Sequence, residues 1–237
     1  MTNNNHSKKF LVLDSSTVIS LSLSELLFVL EEIKKKFPEI VFLVSDDVIN
    51  EIIDRPLAIK RFKLEALIVK KLINERIIEI SSEFIDKKEV EKETSRILEI
   101  AGTIFRAKGE YMQIVHRGEA SCIALYRILK KQNEKALLVV DERTTRMLCE
   151  NPNNLHRLLE SKLHTKIEYA YESADFFRNI EIIRSAEICA FAFRKKILRF
   201  PGSASENIDA FLYALKFHGC SISSEEIEEE KQILPKI

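Results

Sequence analysis

Short apolar runs that alternate with longer helical patterns constrain the fold of this chain more than any other feature. Four of these runs are rich in Val, Ile and Leu, and they are 10-FLVL-13, 40-IVFLV-44, 77-IIEI-80 and 136-ALLVV-140. Each has the length and residue types of a buried strand, and the apolar residues between them recur at helical spacing. Strands that alternate with helices predict an α/β fold with a central parallel sheet flanked by helices.

Downstream of Ser173 the apolar pattern is helical throughout. The helices that the whole sequence predicts lie at 21–37, 46–53, 57–75, 87–109, 118–131, 143–163 (two helices), 174–197 and 205–219. We therefore predict an α/β domain at residues 8–171 and a C-terminal helical extension at residues 172–237. The extension carries apolar stripes, which predict that it packs on the domain or pairs two chains. These stripes contain Phe176, Phe177, Ile188, Phe191, Phe211 and Leu215.

The composition bounds the partners and the cellular environment. The chain has 37 basic and 37 acidic residues, so any binding of nucleic acid has to come from a local patch of charge. Its four cysteines stand singly and lack the spacing of a zinc motif, which predicts reduced thiols in the core of a cytoplasmic protein. No targeting signal is recognised, and no apolar run reaches the roughly 18 residues of a membrane span. We expect no membrane partner.

Two of the predicted strands run directly into an aspartate. Asp14 follows the first strand, and Asp141 follows 136-ALLVV-140. Because the carboxyl ends of parallel strands line the ligand crevice of an open α/β sheet, both carboxylates are expected at one edge. Each of them could instead cap the helix that follows its strand.

Two glutamates extend this acidic set. Glu119 lies in the first turn of a predicted helix, on the same largely apolar face as Cys122, and Glu51 lies in the helix after the second strand. Helix-dipole stabilisation of Glu119 and a solvated Glu51 are the alternative interpretations. Carboxylates within about 4 Å repel each other by several kcal/mol, so such a cluster requires a cation. All-oxygen ligands indicate Mg²⁺ or Mn²⁺, which can activate water for the hydrolysis of a phosphate ester.

Four motifs, in this order, resemble those of the PIN-domain nucleases. They are 11-LVLDSS-16, 44-VSDDVINEII-53, 117-RGEASCIALY-126 and 138-LVVDERTTR-146, and the resemblance covers roughly residues 8 to 150. It implies a PIN-like (Rossmann-like) three-layer sandwich and a divalent-metal-dependent endoribonuclease. Asp14, Glu119 and Asp141 are then expected nearest the metal, with Glu51 completing the catalytic pocket. Ser16 and Glu142 are expected in accessory roles, although many members have Asp at the position of Glu142.

The resemblance also implies partners. Arg117, Arg143 and Arg146 flank the acids and are candidates for binding RNA phosphates, with solvation or neutralisation of the acids as the alternative for each. The family includes toxins that are held by a cognate inhibitor as well as RNA-processing enzymes, so an antitoxin-like protein and a homodimer are further candidates. The competing functional hypothesis is a catalytically silent PIN-like module that binds RNA or protein.

Overall fold

Five strands form a central parallel sheet in the computed structural model, which describes residues 8–198 and 200–233. The strands of this part of the chain are β1 (Lys9–Leu13), β2 (Ile40–Val44), β3 (Ile78–Ile80), β4 (Phe105–Ala107), β5 (Glu110–Tyr111), β6 (Lys135–Val139), β7 (Ile167–Tyr169) and β8 (Ile182–Ile183). The sheet order is β3-β2-β1-β6-β8, and every neighbouring pair is parallel. The predicted α/β class and the four predicted strands are therefore confirmed.

The helices flank this sheet. They are α1 (Ser15–Leu23), α2 (Phe28–Lys36), α3 (Asp46–Ile49), α4 (Arg55–Leu57), α5 (Lys63–Asn74), α6 (Lys87–Ala101), α7 (Arg117–Lys131), α8 (Arg143–Glu150), α9 (Pro152–Leu163), α10 (Tyr171–Asp175), α11 (Ser185–Arg194), α12 (Ala204–Phe217) and α13 (Ser224–Ile233). A π-helical turn, Asn50–Asp54, joins α3 to α4, and short 3₁₀ turns occur at Lys60–Phe62 and Ser81–Glu83. No described helix is both long and apolar enough to cross a membrane.

The strand order reverses direction beside β1. The chain builds β1, β2 and β3 towards one edge and then returns to place β6 on the other side of β1. In open α/β sheets the ligand crevice lies at such a switch point, outside the carboxyl ends of the strands. Asp14 and Asp141 follow the two strands that meet there.

Four predicted helices are wrong in part. The helix predicted at 21–37 is interrupted between α1 and α2, and the one predicted at 57–75 is divided between α4, a 3₁₀ turn and α5. In the other two, non-local pairing competes with helical periodicity. The helix predicted at 87–109 ends at Ala101, and β4 and β5 form a hairpin whose turn residues, Lys108 and Gly109, have φ values of 52° and 86°. That turn geometry suits a two-residue hairpin, and β7 pairs with the free edge of β4. The helix predicted at 174–197 is interrupted by β8, which pairs with β6.

One hydrophobic core connects the predicted domain and the predicted extension. Phe177, Ile188, Phe211 and Leu215 are buried in the same cluster as the central strands, and α11 packs against α1 and α2. The prediction that the extension packs on the domain is confirmed. The four cysteines are free and buried, as predicted for core thiols.

Candidate functional site

Asp14 lies at the switch point as the N-cap of α1. Its Oδ2 atom accepts hydrogen bonds from the backbone N–H of Ser16 at 3.0 Å and from the Ser16 hydroxyl at 2.5 Å. Its Oδ1 atom is approached by the Cys122 thiol at 4.0 Å, which is a weak contact. The side chain is almost fully buried. Asp14 therefore caps a helix with one oxygen and keeps the other available.

Ser16 connects the ends of β1 and β6. Its hydroxyl donates to Asp14 and accepts from the backbone N–H groups of Asp141 and Glu142, at 3.1 and 3.3 Å. A second link runs from the Thr17 hydroxyl to the Val139 carbonyl at 3.0 Å. Ser16 thus orients Asp14 and joins the two strand ends, and its accessory role in catalysis stays a prediction.

Glu119 lies in the first turn of α7. Its Oε2 atom accepts a hydrogen bond from the backbone N–H of His116 at 2.6 Å, which satisfies a donor at the start of the helix. Burial raises the pKa of Glu119 to about 7, and the charges of Asp14, Glu142 and Glu51 act in the same direction. Glu119 is therefore in electrostatic contact with three other carboxylates.

Glu51 lies in the π-helical turn and reaches the start of α7. A Cβ atom built on Gly118 would lie 2.8 and 2.9 Å from the two carboxylate oxygens of Glu51. The absence of a side chain at Gly118 lets this carboxylate approach the helix closely. The π-helical turn is a rare element that is frequently found at functional sites. Nearby, Ser45 caps α3 and lies 2.6 Å from the Ser121 hydroxyl of α7.

The pKa of Asp14 is also raised, mainly by burial and in part by the charge of Glu51. Burial raises its pKa to about 6, hydrogen bonds from Ser16 and Ser15 oppose the rise, and the charge of Glu51 adds to it. Glu142 caps α8 by accepting from the backbone N–H of Thr145 at 2.7 Å. We define the acidic cluster as Asp14, Glu51, Glu119 and Glu142.

Asp141 follows β6, as the sequence predicted, and its side chain is bound by Ser185 at the start of α11. Its Oδ1 atom accepts from the backbone N–H of Ser185 at 2.8 Å, and its Oδ2 atom accepts from the Ser185 hydroxyl at 2.6 Å. The side chain is fully buried, and burial raises its pKa although these hydrogen bonds and those of Ser20 and Cys220 oppose the rise. Asp141 thus turns towards α11, while its neighbour Glu142 acts on Glu119.

The cluster has the donor chemistry of a site for a hard divalent cation, but it is not assembled as one. Among residues 8–198 and 200–233, no three His, Cys, Asp or Glu side chains are arranged to hold a metal ion. Asp14, Glu119 and Glu142 each use an oxygen to cap a helix. The available Oδ1 atom of Asp14 and the raised pKa values of Asp14 and Glu119 nevertheless fit a site whose charge a cation would balance.

The basic residues predicted to bind RNA differ from one another. Arg117 donates to Asp47 at 2.8 Å and to Glu91 at 3.5 Å, and Arg146 lies 3.7 Å from Glu150. Both therefore neutralise acids, as in the alternative interpretation. Arg143 is exposed at the start of α8, and in the described part of the chain it forms no ion pair.

Two further residues shape the site without having been predicted to do so. Cys122 approaches Asp14, and burial, followed by the charges of Asp14 and Glu119, raises the pKa of its thiol well above the usual value. These surroundings favour the neutral thiol. Ser185, more than 40 positions from Asp141 in sequence, determines the orientation of that carboxylate. The helical spacing of Glu119 and Cys122 was a usable signal, whereas no local pattern identifies Ser185.

Comparison with known proteins supplies no relative for this chain. No model of a protein family matches it, and neither a curated protein nor a solved structure is significantly similar to it. Any assignment of function therefore depends on the residues and the geometry described above.

Proposed function

We propose that this protein is a divalent-metal-dependent endoribonuclease with a PIN-like, Rossmann-type sandwich fold. The observation that carries the proposal is the placement of the acidic cluster at the switch point of the parallel sheet, where burial and the charges of Asp14, Glu142 and Glu51 raise the pKa of Glu119, and burial and the charge of Glu51 raise the pKa of Asp14. The order of the motifs and the positions of their acids support the PIN-like assignment. The expected cofactor is Mg²⁺ or Mn²⁺.

Asp14, Glu51 and Glu119 are the residues that would hold the cation. When bound, the cation would balance their charge and activate water for attack on a phosphodiester. Ser16 keeps Asp14 oriented, and Arg143 offers a charge for a neighbouring phosphate. Asp141, which the sequence placed among the metal ligands, has a supporting role in this proposal.

A metal-dependent cleavage assay tests the function. Wild-type protein is incubated with fluorescent single-stranded RNA in Mn²⁺, in Mg²⁺ and in EDTA, and Asp14→Asn, Glu51→Gln and Glu119→Gln are compared with it. We expect cleavage only with metal, and a loss of about a hundredfold or more in Asp14→Asn and Glu119→Gln. Asp54→Asn removes an exposed carboxylate from the same turn as Glu51 and is the matched control. Equal activity in wild type and Asp14→Asn would indicate a contaminant and refute the proposal.

The competing function is a catalytically silent PIN-like module. It is favoured by the finding that, within the described ranges, no three metal-binding side chains are assembled as a site. It predicts that no RNA is cleaved with any metal and that binding of RNA or protein is unchanged in Asp14→Asn. The choice between a toxin-like and an RNA-processing role, a cognate inhibitor, a homodimer and a cytoplasmic location all stay predictions.

A further inference from the structure

A small apolar pocket opens directly beside the acidic cluster. It has a volume of about 270 Å³ and lies between α1 and α5, with Glu51 and Ile52 of the π-helical turn in its wall. Pro56 and Phe62 provide further walls. Ligand pockets typically measure about 300–1,000 Å³, so this pocket suits one ring system and not an extended ligand. Through Glu51 it shares a wall with the proposed active site.

Two buried polar atoms in the lining of this pocket have no hydrogen-bond partner. They are the Oγ atom of Ser22, on α1, and the Oε2 atom of Glu65, on α5. Buried polar atoms are nearly always paired in folded proteins, and an unpaired one calls for a ligand or another specific explanation. An ionised carboxylate only accepts hydrogen bonds, whereas a hydroxyl both donates and accepts. A ligand that pairs both atoms therefore needs an N–H or O–H donor for Glu65 and a donor or acceptor for Ser22, and the apolar lining of the pocket favours apolar faces on that ligand.

We propose that this pocket binds a guanine base of the RNA substrate, with Glu65 as the residue that determines specificity. Guanine presents two adjacent N–H donors, N1–H and the exocyclic amine, to a carboxylate, and its O6 atom accepts from a hydroxyl such as that of Ser22. Adenine and cytosine place an acceptor nitrogen beside their amine, and the single N–H of uracil lies between two carbonyls. Each of these three bases would place a hydrogen-bond acceptor next to a carboxylate oxygen of Glu65, which is itself an acceptor.

Positively charged residues next to the pocket are complementary to the phosphates of an RNA backbone. Residues 55–63 contain Arg55, Lys60, Arg61 and Lys63, and all four are exposed. Among the described residues no carboxylate forms an ion pair with any of them. In a chain with no net charge, this is a local basic patch of the kind that binds phosphates. A single-stranded RNA could therefore place a base in the pocket while its backbone runs from the basic patch towards Glu51.

An apolar side chain of a partner protein is the competing occupant, because Ile19 and Ile59 at the pocket are exposed. Such a side chain would leave the Glu65 and Ser22 atoms unpaired, whereas guanine would satisfy both. The hydrogen-bonding requirement therefore favours the base.

Binding of short RNAs tests this assignment, which rests on the proposed ribonuclease function for its choice of ligand. Fluorescence anisotropy is measured with UUGUU, UUAUU, UUCUU and UUUUU in CaCl₂, and gels check that the RNA stays intact. We expect UUGUU to bind wild type about tenfold more tightly than the other three. Glu65→Gln should remove this preference without weakening the binding of UUUUU. Glu75→Gln, which removes an exposed charge at the end of α5 outside the pocket, should keep it.

Two further measurements separate this proposal from the nuclease function. Ser22→Ala should lose part of the guanine preference, and an inosine oligonucleotide, which lacks the exocyclic amine, should bind wild type more weakly than UUGUU. With Mn²⁺, wild type should cut UUGUU fastest, and Glu65→Gln should cut all four RNAs alike.

Equal affinity for all four RNAs in wild type, or a guanine preference that survives in Glu65→Gln, would overturn the pocket assignment even if the protein cleaves RNA. A guanine preference that depends on Glu65, without cleavage in any metal, would support the pocket and refute the nuclease function.

Discussion

Asp14 and Asp141 have nearly the same sequence context and different structural roles. Each follows a buried parallel strand, the two strands are neighbours, and both side chains are buried. The charge of Asp14 interacts with those of Glu119 on α7 and Glu51 in the π-helical turn, and its Oδ1 atom stays available, whereas both oxygens of Asp141 accept from Ser185 at the start of α11. The element that packs against a strand end therefore decides whether its aspartate is available for chemistry or used to hold the fold.

Removing each carboxylate in turn should give the largest difference between Asp14 and Asp141. Asp141→Ala leaves the backbone N–H and the hydroxyl of Ser185 without an acceptor, at about 1–3 kcal/mol for each buried donor, and should lower the free energy of unfolding by about 2–6 kcal/mol. Asp14→Ala loses a helix cap but also a repelled, buried charge, so its effect should stay within about 1 kcal/mol. Urea denaturation in EDTA measures both. Equal losses in the two variants would contradict the division of roles.

The pH dependence of stability tests whether the ionised form of Asp14 destabilises the folded protein. Folding raises the pKa of Asp14 from 3.8 to about 6, so the unfolded chain releases this proton at lower pH than the folded protein does. The free energy of unfolding should therefore fall by about 2 kcal/mol as the pH rises from 4 to 8, with Glu119 adding in the same direction.

The measurement is the difference between wild type and Asp14→Asn across this pH range in EDTA. Asp14→Asn should become progressively more stable than wild type as the pH increases. Addition of Mn²⁺ at pH 8 should reduce that difference, because a bound cation stabilises the folded state of the wild type alone. A difference that does not vary with pH would show that Asp14 is not a destabilised carboxylate.

Gly118→Ala tests the close approach of Glu51 to α7. The new methyl group would lie within 3 Å of the Glu51 oxygens, and the flexible end of Glu51 can move away. Stability should change by less than about 1 kcal/mol, since Ala also favours the helix. Nuclease activity should fall about tenfold as Glu51 leaves the acidic cluster. In a Glu51→Gln background the same substitution should have no added effect, and a full additional loss there would show that Gly118 acts by another route.

Ser16→Ala should lower stability less than Asp141→Ala does. It removes the donor to Asp14 and the acceptor for two backbone N–H groups, but these hydrogen bonds are only partly buried and water can replace them, so the free energy of unfolding should fall by about 1 kcal/mol. Because the hydrogen bonds from Ser16 oppose the rise in the pKa of Asp14, that pKa should increase. An NMR titration of the Asp14 carboxyl carbon measures it. A lower pKa would show that Ser16 does not hold the charged form.

The acidic cluster was predictable to different degrees. Glu119 and Cys122 share a helical face, and the start of α7 was evident from sequence, so their proximity follows from helix geometry. Glu51 depends on a π-helical turn and on the space at Gly118, and neither has a reliable local signal. The two unpaired atoms in the pocket, Ser22 Oγ and Glu65 Oε2, belong to α1 and α5, which contact each other only in the folded chain.

Local patterns in the sequence were enough to predict the α/β class, four of the five strands of the central sheet, and the strand-end positions of Asp14 and Asp141. These depend on local periodicity and on the geometry of parallel sheets, which act over a few residues. Only the tertiary structure decided that β8 joins the sheet, that β4 and β5 form a hairpin, and that Ser185 binds Asp141. A short strand or a buried carboxylate forms its hydrogen bonds with residues far along the chain. The local sequence pattern does not indicate which distant residues these will be.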